Sequence, residues 1–322
     1  MKVEFFALRK TPSPSTASGD GIFRAPTANS IQRARCATNS TNRFVFVCFE
    51  YFAVKFPHRM SDFETRFGGI ARLYGKAGLE KLRPAHVCVI GIGGVGAWAA
   101  EALARSGIGA LTLMDLDEVC VTNINRQLHA LTETVGRAKV EVMAERIRAI
   151  NPDCRVTAEQ KFFNEQTATE LLAPKFDFIL DAIDNVPNKV LLLARCREKK
   201  LPVITCGGAG GRRELTSVRL GDLSKASHDK LLSEVRRRLR KEHHFPKESL
   251  AMGVPCVYSV ERAVFPQPDG SICEMRTEAE EGARLNCNGG LGSATFVTGA
   301  FGFAAAGFVV RNIAERGQLV RE

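Results

Sequence analysis

The chain has 322 residues, 45% of them hydrophobic and 25% charged, a composition suited to one large α/β domain or two small ones. Its formal charge is +10, but nine Lys and Arg against three acids fall within residues 1–59. The remainder is only mildly basic, so charge alone does not argue for a nucleic-acid partner. The ten cysteines include no C-x-x-C pair, which excludes the common zinc-site and thioredoxin-type patterns. Without a visible secretory signal they read as free thiols in a reducing, cytoplasmic setting.

Residues 1–59 are rich in Ser, Thr, Arg and Pro up to Asn42, then carry a short apolar patch from Phe44 to Phe49. They read as a disordered or mis-assigned extension with Met60 as the natural start, or as a targeting presequence. Residues 62–83 read as a helix broken by Pro84. Val87–Ile90 is a short continuous apolar run, as a strand buried on both faces requires. A helix over Ala97–Arg105, a strand over Ala110–Met114, a helix over Thr134–Ile150 and a strand over Arg155–Gln160 follow. A helix over Asn164–Leu172, a strand over Phe176–Ile183, a helix over Val190–Lys199 and a strand over Leu201–Cys206 complete the alternation. Such alternation predicts a doubly wound, Rossmann-like, mostly parallel α/β sheet.

The C-terminal half is less regular. Strands are expected at Thr216–Leu220 and Val257–Phe265, a strongly basic helix at Lys230–His244, a glycine-rich loop at Asn286–Gly292 and an apolar helix at Ala294–Glu315 crossing behind the sheet. The apolar stretch Phe296–Val310 falls short of the ~20 residues of a membrane span, so it reads as a core helix and membrane contact is not expected. The division expected is an extension at 1–59, a nucleotide-binding half at 60–211 and a substrate-binding and dimerisation half at 212–322.

Gly91-x-Gly93-Gly94-x-Gly96 lies between a strand and a helix. Glycine permits the tight turn and the approach of backbone N–H groups to phosphate, and the helix N-terminus favours an anion there. Asp115, at the end of the next strand, is placed to accept from ribose hydroxyls. These features fit NAD(P) as well as ATP. The loop behind them, with Asp117, Asn123, Arg126 and Gln127, and Lys139 on the next helix, adds two cations. A leaving pyrophosphate needs such charges more than a bound dinucleotide does. Asp184, past the strand at Phe176–Ile183, could hold Mg²⁺ at the sheet's carboxyl edge. Taken singly, Arg126 and Lys139 also suit solvated surface charges, and Asp184 a helix cap.

Together Arg66-Phe67, the glycine turn, Asp115-x-Asp117, Asn123-x-x-Arg126-Gln127, Gly136-x-x-Lys139 and Asp181-x-x-Asp184-Asn185 resemble the ubiquitin-activating-like (E1-like, HesA/MoeB/ThiF) adenylating family. The runs Arg66–Gly75, Cys120–Ala130 and Thr205–Gly211 are similar to its tRNA-modifying branch, which dehydrates threonylcarbamoyladenosine. The resemblance implies that the glycines, Asp115, Asp117, Asn123 and Gln127 hold ATP. It implies Arg126 and Lys139 on the phosphates, Asp184 on Mg²⁺, and Arg66 acting in trans across a homodimer. The implied substrate is tRNA carrying threonylcarbamoyladenosine, with a sulfur-transfer protein as a possible further partner. Cys256 or Cys287 would be the candidates for a catalytic cysteine of the ubiquitin-activating kind. Arg236–Lys241, with Arg212 and Arg213, would offer a tRNA contact or simply a solvated helix face. Rival readings are adenylation of a small ubiquitin-like sulfur carrier, a nucleotide-binding regulator without turnover, and an NAD-dependent oxidoreductase.

Overall fold

The computed structural model describes residues 62–247, 250–267, 269–274 and 291–317; the expectations for residues 1–59, Met60 and Cys287 lie outside them. The first half contains α1 (Asp62–Leu82), β1 (His86–Ile90), α2 (Gly94–Arg105), β2 (Ala110–Met114), α3 (Lys139–Ile150), β3 (Arg155–Glu159), α4 (Ala168–Leu171), β4 (Phe178–Asp181), α5 (Val186–Glu198) and β5 (Val203–Cys206). The second half adds β6 (Val218–Asp222), α6 (Lys230–His243), β7 (Pro255–Ser259), the small hairpin of β8 (Phe265–Pro266) and β9 (Ile272–Cys273), and α7 (Thr295–Ala314).

Seven strands make one sheet in the order β3-β2-β1-β4-β5-β7-β6, all parallel except β6, which runs antiparallel to β7. The two-residue period of a strand sends alternate side chains to opposite faces, and here both faces are apolar. Val87 and Val89 of β1, Leu111 and Leu113 of β2, and Phe178 and Leu180 of β4 enter one core with α2, α3 and α7. Cys88, Ile90, Met114 and Ile179 enter another with α4 and α5. Helices on both faces explain why these strands read as unbroken hydrophobic runs.

From β1 the chain moves outward to β2 and β3, then returns to the far side of β1 to lay down β4 and β5. The direction of winding therefore reverses between β1 and β4. In open α/β sheets the crevice at the carboxyl ends of such strands is where ligands bind.

α7 is the expected apolar helix. It packs on α2, α1 and the strands β4 to β7, burying Val297, Phe301, Ala305, Val309 and Ile313 in the main core. By length and composition it could cross a membrane, but its buried stripe is the core of this fold.

Several boundaries differ from expectation for local reasons. The helix expected from Thr134 starts at Lys139, because Gly136 takes φ +84° and Thr132–Thr134 form a single 3₁₀ turn. The intervening chain is zipped to the preceding loop by Gly136 N–H to Val119 O and Lys139 N–H to Asp117 O. The helix expected from Val190 begins earlier, at Val186, where Asn185 caps it by accepting the Asn188 N–H and Pro187 occupies the first turn, a position that tolerates proline. The strand expected over Val257–Phe265 divides into β7 and β8.

Candidate active site

The turn after β1 is closed by the backbone on itself. Gly91 takes φ +91° and donates its N–H to Met114 O at 2.8 Å. A Cβ there would fall 2.8 Å from Ala182 O, so the turn after β1 lies against the turn after β4. A Cβ on Gly96 would fall 1.8 Å from Gly91 O. α2 starts at Gly94 with Gly93 as its N-cap and no side-chain cap. Its first N–H groups thus stay available for an anion.

Asp115 braces this turn. Its carboxylate accepts the Ile92 N–H at 2.6 Å and the Asp117 N–H at 2.9 Å. Burial holds its pKa above the ordinary carboxylate value despite nearby Lys139 and these two donors. Lys139, at the start of α3, is buried and reaches Asp117 at 2.7 Å, while the Asp117 side chain is 64% exposed. A cation is therefore stored inside the cleft against an acid at its rim.

The loop between β2 and α3 holds Arg126. One guanidinium nitrogen donates to Thr122 O at 2.7 Å and Asn125 Oδ1 at 3.1 Å, and Arg126 O accepts from Trp98 Nε1 and Thr298 Oγ1, each at 3.2 Å. Asn123 is buried and shapes the loop, its Oδ1 accepting the Cys120 N–H at 3.0 Å. Gln127 is buried beside Gly93, and its Oε1 has no partner among the described residues. His129 is buried with neither ring nitrogen partnered among the described residues; burial, and then Lys139, push its pKa down to about 4.

Asp184 stands exposed between β4 and α5. Among the described residues no cluster of three metal-ligating side chains occurs. Mg²⁺ does not need one, because it commonly takes one or two carboxylates plus phosphate oxygens and water. Asp184, beside an anion-accepting turn, suits that donor set. Three residues before it, Asp181 is fully buried and accepts from Lys189 Nζ at 2.7 Å, Thr205 Oγ1 at 2.6 Å and the Ile183 N–H at 3.0 Å. Sequence reasoning did not find Lys189. A lysine in the first turns of a helix gives no sign that it points inward.

The glycine turn, Asp115, Asp117, Asn123, Arg126, Gln127, Lys139 and Asp184 thus gather along the carboxyl edge of β1, β2 and β4. Arg66 does not join them in its own chain. It pairs with Asp62 at 2.7 Å and reaches Ile150 O at 3.4 Å. Ile150 ends the helix that Lys139 begins, and twelve residues span about 18 Å. Cys256 is fully buried and its thiol is pushed up to about 12 by burial, so it offers no thiolate near neutral pH. The arginines of α6 are largely committed. Arg236 donates to Leu223 O and Ala226 O, Arg237 pairs with Glu234, and Arg238 with Glu242. Arg212 is buried. Fixed donors and cations around an anion cradle suit stabilisation of phosphate charge.

The ThiF family model matches residues 69–308. The chain is 49% identical over 249 residues to the tRNA threonylcarbamoyladenosine dehydratase of Escherichia coli, covering 77% of this chain and 93% of that protein. It is 46% identical over 261 residues to the enzyme of that name from Haemophilus influenzae, covering 80% and 97%. The structure of the E. coli enzyme in complex with ATP matches with a TM-score of 0.70 and 44% identity, over 80% of this chain and 99% of that one. The chain belongs to the ThiF family, in the branch of the tRNA threonylcarbamoyladenosine dehydratases.

Proposed function

We propose that the chain uses ATP to dehydrate N6-threonylcarbamoyladenosine at position 37 of tRNA, closing the side chain into a ring through an acyl-adenylate. A carboxylate oxygen of the modification attacks the α-phosphorus, the bond from that phosphorus to the bridging oxygen breaks, and pyrophosphate leaves. The ureido carbonyl oxygen then attacks the activated acyl carbon, AMP leaves with the original carboxylate oxygen, and the ureido nitrogen gives up its proton. The second nucleophile is already tethered, so positioning and charge stabilisation supply most of what the reaction needs.

The observation that carries this reading is the braced glycine turn at the β1–β4 crevice, with two cations beside it, in a chain that aligns with nearly the whole length of the E. coli and H. influenzae dehydratases. In it the N–H groups of Gly93, Gly94 and Gly96 hold phosphate, and Asp115 faces the ribose while bracing the turn. Lys139 leaves Asp117 for the phosphates, and Arg126 turns its guanidinium to the departing pyrophosphate. Asn123 and Gln127 shape and line the cleft. Asp184 holds Mg²⁺, which would neutralise phosphate charge as pyrophosphate departs.

The active form in this reading is a homodimer with Arg66 acting in trans. Support comes from exposed apolar side chains beside the site, Ile124, Phe296 and Phe303, on two segments joined by Asn125 Nδ2 to Ser293 O at 2.7 Å. Residues 212–322 serve substrate binding and dimerisation, and the protein works in the cytoplasm with tRNA, alongside a sulfur-transfer partner.

The test incubates purified protein with ATP, Mg²⁺ and tRNA carrying threonylcarbamoyladenosine. AMP and pyrophosphate should appear and the nucleoside should lose the mass of one water, with Arg126→Ala abolishing all three. No AMP from modified tRNA, with AMP formed instead on a small carrier protein ending in Gly-Gly, would favour the sulfur-carrier reading.

A further inference from the structure

A cavity of about 670 Å³ is bordered by Asp184. It lies between the loops that follow β4 and β5, the start of α6 and the connection from β7 to β8. The volume is that of a small-molecule site.

Its wall is the glycine-rich stretch after β5, which the nucleotide site does not use. Gly207 N–H donates to Val257 O at 2.8 Å, Gly208 N–H to Asp229 Oδ2 at 2.9 Å and Gly211 N–H to Gly292 O at 2.7 Å, while Gly211 O accepts the Val264 N–H at 2.8 Å. Bonds from four separate segments hold this loop in one shape before any ligand arrives, which lowers the cost of binding.

The charges are unequally committed. Asp229 is used internally, by Gly208 N–H, by Leu232 N–H at 2.9 Å and by Arg212 at 3.9 Å. Arg236, by contrast, spends its hydrogen bonds on neutral carbonyls and keeps its charge. Arg212 is 3% exposed at the side chain, and its Nε has no partner among the described residues. Lys230 sits over the Phe265 ring at 5.3 Å, and the exposed Arg262 makes no ion pair among the described residues. Four cations of the lining thus face three acids, Asp229, Glu274 and Asp184, the last proposed above to hold Mg²⁺. A cavity with surplus positive charge beside an adenylating centre calls for an anion whose carboxylate can reach the α-phosphorus.

We infer that this cavity receives the acceptor as a nucleoside, a purine whose N6 substituent ends in a carboxylate. Arg262 and Lys230 at its mouth recognise that anionic substituent, and the half-buried Arg236, whose partners are neutral carbonyls, keeps the cavity's potential positive. The inference rests on the function proposed above and adds where the acceptor is read and by which residues.

The test measures binding of an anticodon stem-loop carrying threonylcarbamoyladenosine and of the same stem-loop with plain adenosine, to the wild-type protein and to the Lys230→Ala/Arg262→Ala double variant. A non-hydrolysable ATP analogue is present throughout. Wild type should prefer the modified stem-loop by roughly tenfold or more, the scale of one or two charged hydrogen bonds. The double variant should lose most of that preference with its affinity for the ATP analogue unchanged, and Lys230→Arg/Arg262→Lys should restore part of it. No preference in wild type, or a preference that survives in the variant, overturns the inference. Equal loss of affinity for both stem-loops also overturns it, since that marks a general phosphate contact. Turnover of the modified stem-loop by wild type is read separately; its absence defeats the proposed function whatever the variants do.

Discussion

Lys189 and Asp181, each with a fully buried side chain, form a 2.7 Å ion pair that ties the end of β4 to the first turns of α5. The loop they anchor carries Ala182, against which Gly91 packs, and Asp184. Breaking a buried pair leaves one charge uncompensated and costs about 3–5 kcal/mol, whereas replacing both partners is often close to neutral. Lys189→Met should therefore lower the unfolding free energy by about that amount. Asp181→Asn/Lys189→Met, which keeps an acceptor for the Ile183 N–H, should recover most of it. Urea unfolding would check both, and an undiminished Lys189→Met protein would show that the pair holds nothing. If the pair positions the Asp184 loop, the double variant should fold yet need more Mg²⁺ for AMP formation.

His129 makes stability depend on pH. The imidazole is buried and unpartnered among the described residues, with its pKa pushed down to about 4 by burial first and Lys139 second. A histidine with a depressed folded pKa binds fewer protons folded than unfolded. Its favourable contribution is complete above the unfolded value near 6.5 and is lost as pH falls toward about 4. Between about pH 7 and about pH 5 this one group should remove on the order of 2 kcal/mol. His129→Leu gives up no hydrogen bond seen here, and its stability should fall less over the same interval. Chemical unfolding of both proteins at the two pH values measures the difference, and parallel curves would rule the effect out.

The fold was legible because both sheet faces are covered. Val87–Ile90 and Ala110–Met114 read as strands because burial on both sides demands unbroken apolar runs. Glycine spacing located the tight turn after β1, because the 1.8 Å approach at Gly96 leaves no alternative to glycine. What stayed hidden depended on three-dimensional pairing. Lys189 reads as one more surface lysine until the fold places Asp181 beneath it. The arginines of α6 read as a free basic face until Arg236 is seen bonded to two carbonyls and Arg237 and Arg238 to glutamates. The start of α3 was misplaced because the sequence pattern continued through Gly136, whose positive φ ends any helix there.

Cys256 is not placed to carry a thioester. Its side chain is buried and its thiol held near 12 by burial, so the thiolate is scarce at neutral pH. Cys256→Ala should keep AMP formation on modified tRNA within about twofold while losing roughly 1 kcal/mol of stability from the small cavity left behind. A loss of turnover larger than the loss of folded protein, measured on the same sample, would return Cys256 to the reaction.

Arg66 offers a test of shared active sites. In its own chain it lies at the far end of α3 from Lys139, about 18 Å away along the helix, too far for both to hold one phosphate chain. If each site takes its glycine turn, Arg126 and Lys139 from one copy and Arg66 from the other, Arg66→Ala and Lys139→Ala should each be nearly inactive alone. Mixed in equal amounts and allowed to exchange, half of the dimers pair one variant with the other, and each such dimer holds one complete site. Activity should then recover to about a quarter of wild type, as expected for a two-fold symmetric dimer with two composite sites. Mixtures no more active than the separate variants would place Arg66 outside the reaction in trans.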